Sequence, residues 1–197
     1  MSQVWKLTQN NYDENYFLNK LTNKDQWCKT TSRKFKEDVL RIFDDHKKLK
    51  CVEIGSCRGD TTRVLAECFE RVFAFEQSDQ NVDHIKQKCS DVNNVEISQA
   101  DVYRKDFTIP NVDVAFIDAG HSTELVLHDI NRFLSSNENM ILVFDDYGQK
   151  DKSIKTAVEK SGIQISRHIG EYNGFTFERL NGDKVSLVGR EGVVCNL

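Results

Sequence analysis

The chain has 197 residues, 39% of them hydrophobic and 29% charged, with a net charge of −4. That is the size and balance of one globular domain with a substantial core, and it carries no basic excess to attract a phosphate backbone, which argues against nucleic acid as a partner. No apolar run approaches the roughly 20 residues that span a bilayer, and "MSQVWKLTQNNYDEN" lacks the apolar stretch of a signal peptide, so a cytoplasmic protein with no membrane partner is expected.

In chain order, the first stretch is polar with scattered aromatics (Trp5, Tyr12, Tyr16, Phe17, Trp27). "TTSRKFKEDVLRIFDD" places Phe35, Val39, Ile42 and Phe43 on one helical face, with Thr31 or Ser32 as its cap. An alternation follows. "KCVEIG" reads as a strand, "DTTRVLAECFE" as a helix, "RVFAFE" as a strand and "QNVDHIKQKCS" as a helix. "NVEISQAD" is a third strand, and "VDVAFIDAG" a fourth, apolar enough to be buried on both faces. "STELVLHDINRFLSS" is an amphipathic helix in which His128 and Asp129 are expected at the surface. "NMILVFDD" is a fifth strand, and "DKSIKTAVEKSG" a helix ending at Gly162. "GIQISRHIG", "GFTFERL" and "DKVSLVG" close the chain as short strands, with Asn181-Gly182-Asp183 as a hairpin turn. The six cysteines (Cys28, Cys51, Cys57, Cys68, Cys89, Cys195) form no CxxC pair, and four lie in or beside apolar runs. They are expected to be reduced and mostly buried.

Strands alternating with helices predict an α/β fold, a doubly wound, mostly parallel, seven-stranded Rossmann-like sheet with an antiparallel C-terminal hairpin. In such a sheet, ligands bind beyond the carboxyl ends of the strands, where strand order reverses. Five consecutive strands there end in acid: Glu53 before Gly55, then Glu76, Asp101, Asp118, and the pair Asp145-Asp146. A carboxylate about 20 residues past a glycine turn suits a ribose diol, which is the position of Glu76. Asp101 suits an adenine amine, or it caps the turn that follows. Asp118, Asp145 and Asp146 on neighbouring strands would repel one another unless a cation sat between them, although one of the pair could equally cap the next segment. Oxygen-only ligation favours Mg²⁺, Ca²⁺ or Mn²⁺. The glycine turn, "CVEIGSCRGDTT", has neither the GxGxxG of dinucleotide binding nor the GxxxxGK[ST] of a phosphate-binding loop.

"VEIGSCRG", "FAFEQS", "FIDAGHS" and "LVFDDY", in that order, resemble the class I S-adenosylmethionine-dependent methyltransferases over about residues 30–190, and in particular the metal-dependent small-molecule O-methyltransferases. The middle glycine of the first motif is replaced by Cys57, which small size would permit. The resemblance implies a single methyltransferase domain over 1–197, with residues 1–45 as a helical extension able to act as a lid and 46–197 as the core. Trp27, Thr30 and Thr31 would belong to that lid. It assigns Glu53, Gly55, Ser56 and Gly59 to the methionine end of the cofactor, Glu76 and Gln77 to the ribose, Asp101 to the adenine, and Asp118 to both cofactor and metal. Asp118, Asp145 and Asp146 would hold Mg²⁺. His121, three residues past Asp118 where catechol-type relatives keep a lysine base, would remove the proton of a small hydroxylated acceptor, a sugar or catechol-like compound. Tyr147 is a candidate pocket residue. Homodimer formation stays open. A macromolecular acceptor competes with this reading, but "DAGH" stands where amino-methylating relatives keep [ND]PP[YFW]. A non-catalytic cofactor-binding module is the remaining alternative.

Overall fold

The computed structural model describes residues 31–44, 47–149, 152–172, 176–178 and 184–197. Trp27, Thr30 and the turn at Asn181-Gly182-Asp183 lie outside these. Helix α1 (Arg33–Phe43) starts at Ser32, whose hydroxyl accepts the Phe35 N–H at 3.0 Å. It buries Phe35, Val39, Leu40, Ile42 and Phe43. Then come β1 (Lys50–Ile54), α2 (Asp60–Cys68), β2 (Arg71–Glu76), α3 (Asp79–Lys88) and β3 (Val95–Gln99). The second half holds β4 (Val114–Ile117), α4 (Thr123–Ser136), β5 (Ile141–Phe144), α5 (Ser153–Ser161), β6 (Ile165–Ile169), β7 (Thr176–Glu178), β8 (Lys184–Ser186) and β9 (Gly192–Cys195). Ser78 and Ser122 cap α3 and α4 in the same way as Ser32. Gly162 ends α5 at φ +73°, a left-handed conformation that glycine adopts without steric cost.

The seven-stranded sheet runs β3-β2-β1-β4-β5-β9-β6. β1 to β5 are parallel, and β9 lies antiparallel between β5 and β6. The antiparallel strand within the sheet is therefore "GVVC", too short to be read as a strand from its own pattern. The β7–β8 hairpin forms a separate two-stranded sheet. Order reverses between β1 and β4, so the switch point lies over Glu53, Gly55 and Asp118.

The pleat divides the core. Cys51, Phe116 and Val143 face α1 and α2, while Val52, Ile117 and Phe144 face α4 and α5. β1, β4 and β5 are buried along almost their whole lengths, as strands covered on both faces must be. Cys51, Cys57, Cys68, Cys89 and Cys195 are free thiols, and all but Cys57 are buried. Among the described residues no helix is long and apolar enough to cross a membrane.

One buried carboxylate ties α1 to the far edge of the sheet. Glu191, 1% exposed, accepts the Ser32 N–H at 2.6 Å, the Ser32 hydroxyl at 2.5 Å and the Glu171 N–H at 2.8 Å. An anion there also suits the positive end of the helix dipole. Asp38, in the middle of α1, accepts the Gly170 N–H at 3.0 Å. The helix is thus fixed at its start and its middle, which sets its first turn beside the switch point.

Candidate active site

The turn after β1 is shaped by its backbone. Gly55 sits at φ +85°, and a Cβ there would overlap the Asp118 carbonyl, so glycine is required twice over. The Gly55 and Ser56 amides both donate to the Phe75 carbonyl, at 3.0 and 3.2 Å, and the Gly59 amide donates to Ser56 at 2.8 Å. Gly59 opens α2 at φ +79°. Cys57 stands at φ +47°. Size therefore does not explain Cys57: the position calls for glycine because the backbone is left-handed there.

Glu76, at the end of β2, holds this turn from the side. Its Oε2 accepts the Cys57 N–H and its Oε1 the Ser78 N–H, both at 2.8 Å. Gln77 beside it is exposed. Asp101 accepts the Tyr103 N–H at 3.0 Å, the turn-capping role that its sequence position also allowed.

Above the turn lies an open cleft lined by residues that include Thr31, Phe35, Glu53, Gly55, Asp118 and Asp145. Thr31 Oγ1 lies 3.2 Å from Thr61 Oγ1, so the start of α1 meets the first turn of α2 at the rim. Glu53 is 3% exposed, and burial pushes its carboxyl up to about 7 against the pull of the Thr62 and Ser56 hydroxyls. Asp145 is buried in the same cleft with Oδ1 lacking any hydrogen-bond donor among the described residues. Burial, then Asp146 and Asp118, push its carboxyl well above the usual range. Two confined acids, one with an orphaned oxygen, suit a ligand that brings positive charge and N–H donors.

The adjacent acids after β5 part company. Ile117 pairs with Phe144, so Asp118 and Asp145 stand level at the ends of neighbouring strands. The pleat carries Asp145 to the α1 side, as it does Val143, and Asp146 turns away through φ +57°. Asp146 Oδ2 lies 3.0 Å from His121 Nδ1, and His121 Nε2 lies 3.7 Å from Asp118 Oδ1. One donor atom from each of Asp118, His121 and Asp146 falls within 4.8 Å of the others. Asp145, expected beside them, points into the cleft, and His121 takes its place in the group. Two carboxylate oxygens and an imidazole nitrogen form a donor set that a divalent transition metal accepts as readily as Mg²⁺. Tyr147 is buried against His168 at 5.7 Å between ring centres and does not line the cleft.

Asp129 overturns the surface expectation. It is 1% exposed and accepts from the Tyr103 hydroxyl at 3.0 Å. The signal was present in the sequence, since Val126, Asp129, Ile130 and Phe133 follow the i, i+3, i+4, i+7 spacing of a buried helix face. Glu191 carries no such signal: its partners lie at Ser32 and Glu171.

Residues 52–147 match the family described as "Methyltransferase domain". No curated protein matches the chain. The fold is similar to that of an S-adenosylmethionine-dependent methyltransferase from Aquifex aeolicus (16% identity, TM-score 0.55, 93% of this chain and 98% of that one). It is similar also to an O-methyltransferase from Bacillus cereus solved with S-adenosylhomocysteine (13%, TM-score 0.59, 95% and 92%). Against a dimethyladenosine transferase from Plasmodium falciparum (14%, TM-score 0.56) the chain aligns over 84% of its own length and spans 61% of the other. Fold and matched segment together define a class I S-adenosylmethionine-dependent methyltransferase domain. The match spans 96 of the 197 residues and marks a methyltransferase segment within the chain.

Proposed function

We propose that the protein transfers a methyl group from S-adenosylmethionine to a hydroxyl of a small acceptor, a sugar or catechol-like compound, assisted by a divalent cation held by Asp118, His121 and Asp146. The observation that carries this reading is the convergence of those three side chains next to a cleft lined by Glu53, Gly55, Asp145 and Asp118, the last shared by both. The cofactor, when bound, supplies an electrophilic methyl on a sulfonium. The buried acids Glu53 and Asp145 suit its positively charged amino acid end, Glu76 its ribose and the Asp101 turn its adenine. The cation, when bound, makes the acceptor hydroxyl more acidic. Thr31 and Phe35 line one wall of the cleft. The rest of the rate comes from orientation, which the short turns after β1 and β4 supply by touching each other at Gly55 and Asp118.

A second reading is favoured by the 3.0 Å approach of His121 Nδ1 to Asp146. In it, Asp146 accepts the Nδ1 proton and orients the ring, and Nε2 removes the acceptor proton without metal. One assay separates the two. Methyl transfer to a panel of hydroxylated compounds is measured before and after EDTA, and again after Mg²⁺ or Mn²⁺ is restored. Loss with EDTA and recovery with metal supports the first reading; full activity in EDTA rejects it for the second. Failure to bind S-adenosylmethionine at millimolar concentration in calorimetry would sink both.

A further inference from the structure

Three separate elements meet behind the turn that carries Asp118 and His121. Asp129, in the middle of α4, is a nearly inaccessible carboxylate. The Tyr103 hydroxyl donates to its Oδ2 at 3.0 Å, and His128 Nδ1 lies 3.4 Å from its Oδ1. The same phenol oxygen packs against Gly120. A Cβ on Gly120 would overlap that oxygen, so only glycine allows the approach.

Tyr103 is itself held in place. Its N–H donates to Asp101 at 3.0 Å. Arg132, three residues past Asp129 on α4, donates to the Val102 and Phe107 carbonyls. Its guanidinium lies 4.5 Å from the centre of the Phe107 ring, which packs edge-on against Phe75 at 4.8 Å. The segment after β3 is therefore fastened to α4 on both sides of the phenol, and the phenol in turn touches the peptide between Asp118 and His121.

We infer that Tyr103 is a positioning residue. Its hydroxyl, seated on Asp129, fixes the Gly120 peptide and through it the placement of Asp118 and His121 relative to each other. The inference rests on reading Asp118, His121 and Asp146 as the cation-binding set. It also joins the adenine-side turn at Asp101 to that set through one rigid side chain. A residue whose only task was to satisfy a buried carboxylate would not need its hydroxyl pressed against a second element; here the same oxygen packs against Gly120 so closely that a Cβ there would overlap it.

The test uses Tyr103→Phe, which keeps the ring and removes the hydroxyl, in the full chain. Two quantities are read without reference to turnover. Amide hydrogen exchange followed by NMR should quicken at Gly120 by about tenfold or more, while the β4 amides (114–117) hold their rates. Mn²⁺ affinity, followed by electron paramagnetic resonance, should fall by about tenfold, while S-adenosylhomocysteine affinity stays within about twofold. Gly120→Ala, which drives a methyl into the phenol, should weaken Mn²⁺ as much with Tyr103 intact. Asp129→Asn, made with Tyr103 intact, keeps an acceptor for the phenol and should retain most of the Mn²⁺ affinity. Unchanged Gly120 exchange with unchanged Mn²⁺ affinity in Tyr103→Phe overturns the inference. So does a uniform fall in which the β4 amides and S-adenosylhomocysteine affinity suffer equally, since that marks a merely structural role. If the wild-type chain takes up no Mn²⁺ while Gly120 exchange still quickens in the variant, the cation reading falls and the clamp on the turn stands.

Discussion

The turns after β1 and β4 meet at the switch point, yet they are built in opposite ways. The first is held by its backbone: positive φ at Gly55, Cys57 and Gly59, amides shared with the Phe75 carbonyl, and one carboxylate, Glu76, at its flank. The second is held by side chains from elsewhere, Tyr103 on one side and Asp146 on the other. A backbone-built turn depends on local residue types and resists only substitutions that add a Cβ or change φ. A turn built by side chains depends on residues distant in sequence and can be loosened by removing one hydroxyl. Buried acids lie by both, Glu53 beneath the first and Asp129 behind the second.

The largest effect should come where the two turns touch. Gly55→Ala meets the Asp118 carbonyl and demands φ +85° of an alanine, so overpacking and strain add to about 3–4 kcal/mol. Gly120→Ala has only the phenol and Leu125 to displace, and should cost about 1–3 kcal/mol. Urea unfolding of the two variants compares the contacts directly. Equal losses would mean that the backbone-built turn is no more rigid than its neighbour.

The next effect is a pH dependence. Glu53 holds its proton up to about 7 in the fold, against 4.5 ordinarily. Its contribution to stability is therefore fully present below pH 4.5 and is lost as the pH rises through 7. The gap is worth about 3 kcal/mol. Glu53→Gln removes the titration, so wild type should lose stability relative to the variant by about 2–3 kcal/mol between about pH 5 and pH 8. Parallel pH profiles for the two proteins would show that Glu53 ionises without cost and that the cleft is wetter than its burial implies.

Glu76→Ala should weaken S-adenosylhomocysteine binding by about 2 kcal/mol, since a charged hydrogen-bonding partner of the ribose and the anchor of the Cys57 amide go together. Calorimetry at one pH checks it. Unchanged affinity would separate the anchoring role from any contact with the cofactor.

These expectations also show how far the sequence could be read. The alternation of strands and helices, the cap at Ser32 and the five acidic strand ends were legible because each follows from a local period or a local residue type. β9 was not, because four residues covered on both faces have no period to show. The division between Asp145 and Asp146 was not legible either. It follows from the pleat of β5 and from φ +57° at a residue whose type does not demand it. Glu191 and the Tyr103–Gly120 contact depend on pairings across the fold that no local window contains.

The smallest predicted effect tests the reading of Cys57. If size alone placed cysteine there, Cys57→Ala would be neutral and Cys57→Gly mildly destabilising through chain entropy. If the left-handed backbone decides, glycine relieves about 1–2 kcal/mol of steric cost and returns about 0.5–1 kcal/mol as lost freedom of the unfolded chain. Cys57→Gly should then be more stable than wild type by about 0.5–1 kcal/mol, and Cys57→Ala should not be. Because the Cys57 amide donates to Glu76, the same relief should leave S-adenosylhomocysteine affinity unchanged or slightly improved. Thermal unfolding of both variants decides it: a gain with alanine equal to the gain with glycine would assign the effect to the thiol and not to the backbone.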